Sequence, residues 1–129
     1  MNFEILGKSY PLGYTIWAQR ELSAKFGSLK GVAEAFTSAE DNAQLLDRAG
    51  YIGATLMMAE YMRQKAEAEI LGTEFNGEVP PTYEQLISVM DFKDAGRLTS
   101  CVYATMTEGN EVTTEVKEDR KNAEATRSK

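Results

Sequence analysis

Twenty acidic side chains, one cysteine and no histidine bound any chemistry that this chain of 129 residues could perform. The absence of histidine removes the commonest general base, the Ser-His and Cys-His nucleophile pairs, and imidazole metal ligation. Carboxylates, Lys, Tyr and Cys101 remain. Paired carboxylates spaced E-x-x-E on a helix can hold Mg²⁺ with oxygen ligands alone. Glu115-Val-Lys-Glu118 has that spacing, but it lies in a polar stretch with no second pair to face it. Glu67 and Glu69 are two apart and point in different directions on a helix. Asp91 and Asp94 are better explained as caps of a helix start. Every acid is therefore read as part of a solvated face. Cys101 sits among Leu98, Val102 and Met106 and reads as a small core hydrophobe rather than a reactive thiol. No phosphate loop, dinucleotide fingerprint, CxxC pair or HExxH stretch is present. The expectation is a protein that is not an enzyme, with no catalytic, cofactor-binding or metal-binding residues. A small all-α carboxylate-metal nucleotide hydrolase is the enzymatic alternative, to be detected by metal-dependent stabilisation.

Binding residues are more visible than catalytic ones. Met57, Met58 and Met62 fall within six residues, beside Tyr61. Methionine is flexible and polarizable, and it recurs on surfaces that adapt to partner helices. These four span too wide an arc to face one small core, so they are either core with a few partly exposed members or a partner-binding surface. Trp17 lies a quarter turn off the Ala18-Leu22-Phe26 stripe. It either packs under the N-terminal segment or touches another chain.

The elements that would position these residues can be read in order. Phe3 and Ile5, then Tyr10, Leu12 and Tyr14, alternate with polar or small residues, the period of a half-buried strand. Gly7-Lys8 between them is the expected turn, giving a β-hairpin over about 2–14. Two strands alone are marginal in water, so the hairpin must lean on helices or on another chain. Thr15 caps a first helix, Gly27 stops it, and Ser28 caps a second with Leu29, Val32 and Phe36 on one face. Ser38 is the expected cap of the next, a single helix over about 41–71. Gly50 and Gly53 within it mark either a kink or a close crossing of another helix. Residues 72–81 form a loop with Asn76-Gly77 and Pro80-Pro81. Thr82 and Gln85 form a capping box before Tyr83, Leu86, Ile87 and Met90 on an inner face. Asp91 and Asp94 start a last helix with Ala95, Leu98, Val102 and Met106 inside and Gly109 at its end.

The expected architecture is mainly α: a hairpin on a bundle of about five helices over residues 1–109, then a charged tail over 110–129. That tail has Val112 and Val116 as its only sizeable apolar side chains. It holds five acids and five bases, so the whole net charge of −6 falls on residues 1–109. Such a segment cannot bury enough apolar surface to offset its ordering entropy, and a frayed helix or a disordered tail is expected. The acidic body argues against nucleic acid, whose phosphates need Lys and Arg, and against a polybasic membrane contact. The opening residues lack a basic segment followed by an apolar run, and no apolar stretch reaches the roughly 20 residues that span a bilayer. A lone cysteine fits a reducing compartment. A cytoplasmic protein is the expectation.

One resemblance adds to this. Phe3-Glu-Ile-Leu-Gly-Lys-Ser-Tyr10-Pro-Leu12 followed by Ala18-Gln-Arg-Glu21-Leu22-Ser-Ala-Lys-Phe26-Gly27 resembles the opening of tail assembly chaperones from long-tailed bacteriophages and Gram-positive prophages. The matching part is an apolar strand, Gly-Lys-x-Tyr, a second strand and a helix closed by Gly, about a fifth of the chain. The loop at 72–81 and the methionine cluster have no counterpart in that pattern. The resemblance implies a protein that binds the tape measure protein, keeps its apolar helical segments soluble during tail assembly, and is absent from the finished virion. It also implies self-association and a second partner in the tail tube protein. A structural component of a tail or capsid is the third possibility. On this reading Trp17, Met57, Met58, Tyr61 and Met62 are candidate partner-binding residues. The hairpin around Phe3, Ile5, Tyr10 and Leu12 offers an edge for assembly.

Overall fold

The computed structural model describes residues 1–37 and 40–108. Ser38, Gly109 and the segment 110–129, with Val112, Val116 and the Glu115/Glu118 pair, lie outside the described residues, as do the side chains of Leu29 and Phe36. The architecture is mostly helical with an N-terminal hairpin, as the sequence patterning implies.

Strands β1 (Asn2–Ile5) and β2 (Lys8–Pro11) pair antiparallel, with Ile5 opposite Lys8 and Phe3 opposite Tyr10. This register moves the turn from the expected Gly7-Lys8 to Leu6-Gly7. Both turn residues have positive φ, 53° and 77°. Positive φ at both central positions is the pattern of a type I′ turn, whose twist matches the right-handed twist of its strands. Gly7 adopts it without penalty, whereas Leu6 does so against its own Cβ. Strand β2 also ends before Tyr14. Leu12 N–H bonds the Met1 carbonyl, and Gly13 N–H turns away to the Leu56 carbonyl at 3.0 Å.

Each helix begins at a side chain able to satisfy its first free N–H groups. Thr15 accepts from Ala18 N–H at the start of α1 (Ile16–Phe26), and Gly27, with φ of 88°, closes that helix. Ser28 Oγ accepts from Gly31 N–H at 2.9 Å at the start of α2 (Leu29–Thr37). Helix α3 (Asn42–Leu71) is capped by Asp41, whose carboxylate accepts from Gln44 N–H at 2.8 Å. The expected cap was three residues earlier. Helix α4 (Tyr83–Val89) carries the full Thr82/Gln85 box, with bonds of 3.2 and 2.9 Å. Helix α5 (92–108) repeats the device with two aspartates: Asp94 N–H bonds Asp91 Oδ1 at 2.8 Å, and Asp91 N–H bonds Asp94 Oδ2 at 3.3 Å.

Helix α3 is the axis of the fold, touching α1, α2, α4 and β2. Its residues Ile52, Leu56, Met57 and Ala59 are buried with Phe3, Leu22, Val32, Leu86, Leu98 and Val102 in one core. Gly50 and Gly53 mark close crossings. A Cβ at Gly53 would meet Leu98 Cδ1 of α5 at 2.8 Å, and one at Gly50 would meet Ile87 Cγ2 of α4 at 3.2 Å. The hairpin leans on α5 as well. Arg97 donates to the Glu4 carbonyl at 3.1 Å, stands over the Phe3 ring at 5.2 Å and pairs with Asp94 at 2.7 Å. Among the described residues, no helix is long and apolar enough to cross a membrane.

Candidate functional site: two grooves on the helical body

The residues singled out by type do not form one surface. Met57 is 1% exposed and belongs to the core. Trp17 is half-buried and packs against that core, and Met58 is half-buried. Met62 is exposed on the outer side of α3. Tyr61 is half-buried, its ring edge-on to Phe75 at 5.2 Å. Phe3, Ile5 and Leu12 are buried beneath the hairpin, while Tyr10 is half-buried.

Met57, Tyr61 and Tyr10 do meet in one place. The 72–81 segment folds back along α3 toward β2, held by the Tyr61–Phe75 ring pair and by an exposed ion pair from Lys8 to Glu78 at 2.9 Å. Between the segment and the strand runs a groove of about 270 Å³, with Met57 and Tyr61 along α3 and Tyr10 and Pro11 along β2. The hairpin edges differ. In a two-residue hairpin the pair beside the turn is hydrogen-bonded, so Glu4 and Asn2 direct their backbone groups outward from β1, and Ser9 and Pro11 from β2. On β1, the Glu4 carbonyl accepts from Arg97 and the Asn2 carbonyl faces the Cys101 thiol at 3.5 Å. On β2, Pro11 has no N–H to offer. A strand adding there would find one complete donor-acceptor residue, Ser9.

A second groove, of about 330 Å³, opens between the N-terminal half of α3, helix α4 and the start of α5. Leu46 and Ala43 of α3 face Met90 and Ala95 across it. Ile87 and Phe92 flank it, 40% and 79% exposed. The sequence pattern places Ile87 on the inner face of its helix. The structure sets its Cγ2 against Gly50 of α3 while leaving the side chain 40% exposed at the groove edge, and Leu86 is the fully buried residue of this short helix. Phe92 carried one signal: it falls well off the Ala95-Leu98-Val102 stripe at 100° per residue, a large apolar side chain with no core to enter.

The polar residues of this second groove are acidic. Asp47 and Asp91 line it, and no base among the described residues does. Asp47 accepts from the Tyr83 hydroxyl, and this bond, with burial and the nearby Asp47 charge, pushes Tyr83 up to about 12. Tyr83 in turn stands edge-on to Tyr51, which stands edge-on to Phe26, with Lys25 Nζ 5.0 Å from the Tyr51 ring centre. This aromatic row fixes α4 against α3 and α1.

Elsewhere, Glu60 is gripped by Arg63 at 2.5 Å, and Arg63 also reaches Glu67 at 2.7 Å. The Arg63 bond holds the Glu60 carboxyl below its ordinary range. Burial pushes the Cys101 thiol up, away from thiolate chemistry. Among the described residues, no group of three or more Cys, Asp or Glu side chains is placed to hold a metal ion. No family model, no curated protein and no solved structure matches the chain.

Proposed function

We propose that this chain is a protein-binding assembly factor that receives apolar helical segments of a partner. On the resemblance of its opening residues, it serves as a tail assembly chaperone for a phage or prophage tape measure protein. The observation that carries this reading is the position of Phe92. Its ring is 79% exposed beside an apolar groove whose walls come from three separate helices. An amphipathic helix can lay its apolar anchors into such a groove at successive turns. Covering an exposed aromatic and emptying the groove of water favours association at about 25 cal/mol per Å² of apolar area removed from water. On this reading the chain acts by binding and release, holds its partner soluble in the bacterial cytoplasm, and leaves before the tail is complete. Self-association and contact with the tail tube protein belong to the same reading.

The test is co-expression with the longest open reading frame downstream of its gene. The long protein should be insoluble alone, become soluble with this chain and co-purify with it. Phe92→Asp should abolish the rescue while the variant itself stays folded, since the ring is already in water. A long protein that is soluble alone, or insoluble despite this chain, overturns the reading.

A further inference from the structure

We propose that the groove between α3, α4 and α5 selects its helical partner by charge, taking amphipathic helices whose apolar anchors are flanked by Lys or Arg. This rests on the reading of the groove as a helix-binding surface and adds the chemistry of the occupant. The apolar part of the lining sets the anchor pattern. Ile87 and Met90 are three residues apart, one turn along the α4 end, and Phe92 begins the next helix. The polar part of the lining sets the sign. Both charged residues there, Asp47 and Asp91, are exposed acids on opposite walls, from α3 and from the α4–α5 junction. Glu84 adds negative charge beside Tyr83. Lys93 is exposed next to Phe92 but does not line the groove, and Lys25 is engaged over Tyr51. Asp91 spends part of its charge on the start of α5, where it accepts from Asp94 N–H. Asp47, by contrast, accepts a neutral hydroxyl from Tyr83. The body around the groove carries the whole net charge of −6. Like charges across such a rim repel a wrong partner, and opposite charges fix the register of a right one.

The experiment uses the full chain and three synthetic helical peptides. All share one leucine face at i, i+3, i+4 and i+7, and they differ only in flanking Lys, Gln or Glu. Calorimetric titration at low salt reads their affinities. The Lys peptide should bind about three- to ten-fold tighter than the Gln peptide, and the Glu peptide more weakly than either, because each exposed ion pair contributes modestly. The preference should shrink as salt rises. The double variant Asp47→Asn, Asp91→Asn should erase it while leaving the fold intact, because Asn caps a helix as well as Asp does and can still accept from Tyr83. Equal binding of all three peptides overturns charge selection and leaves the helix-binding reading standing. No binding of any peptide overturns both. A Lys preference that persists unchanged in the double variant places the selection elsewhere and also overturns the proposal.

Discussion

Leu98 of α5 lies directly over Gly53 of α3, so close that a Cβ at Gly53 would fall 2.8 Å from Leu98 Cδ1 and 2.9 Å from Cδ2. The two helices cross with hydrogen on one side and a fully buried leucine on the other. This contact seats α5 on the long helix and brings Phe92 and Ala95 to the groove.

Replacing Gly53 by Ala should therefore destabilise the fold, although alanine is the better helix former by about 1 kcal/mol. Overpacking in a closed core costs about 1–3 kcal/mol, because Leu98 has no empty space to move into. A net loss of about 1 kcal/mol in urea unfolding is expected. Gly50→Ala meets Ile87 Cγ2 at 3.2 Å, and that side chain is 40% exposed and free to shift, so it should be neutral or stabilising. Equal gains at both sites would contradict the close crossing.

Arg97 ties the hairpin to α5 through the Glu4 carbonyl and the Phe3 ring. Arg97→Ala should cost about 1 kcal/mol, from a charge-assisted hydrogen bond and an exposed cation–π contact. Hydrogen exchange should quicken first in β1 and β2, with α1 unaffected. Arg97→Lys should recover little, since an ammonium lacks the planar fork that serves both partners.

Leu6 adopts φ of 53° with its side chain 79% exposed, so nothing apolar offsets its backbone cost. Leu6→Asn places Asn-Gly in the turn, the pair most compatible with positive φ at both positions. A stabilisation of about 0.5–1 kcal/mol is expected. A loss on Leu6→Asn would mean that the leucine side chain is covered by a partner in solution.

Glu60 gives the fold an acid-sensitive element. Its carboxyl is held below the ordinary value of 4.5 chiefly by the Arg63 hydrogen bond. A depressed folded pKa contributes stability above the unfolded value, and that stability is lost as pH falls through the folded one. Wild type should therefore exceed Glu60→Gln in stability near neutrality, and the gap should close below about pH 4.5. A gap independent of pH would show that the carboxylate charge contributes nothing.

Much of the fold was legible because local signals agreed. Thr15, Thr82 with Gln85, and Asp91 with Asp94 each cap the helix that follows, and Gly27 and Gly72 end theirs. The hairpin turn was misplaced by one residue because Leu6, a residue disfavoured at positive φ, occupies half of it. The groove was less legible. The methionines drew attention by chemical type, yet Met57 fills the core, and only Tyr61 and Tyr10 join it at a groove. The groove with acidic lining is assembled from three helices, and its shape follows from tertiary approach at Gly50 and Gly53. A one-dimensional pattern marks Phe92 as misplaced but does not show what stands opposite it.

The most direct measurement is a methyl NMR titration of the full chain with an apolar helical segment of the long partner protein. The expected result is shifting of the Met90 and Ile87 methyl signals, with Met57 and Ile5 unmoved. Shifts centred on Met57, or none at any ratio of partner to chain, would contradict the assignment of the α3–α4–α5 groove as the binding surface.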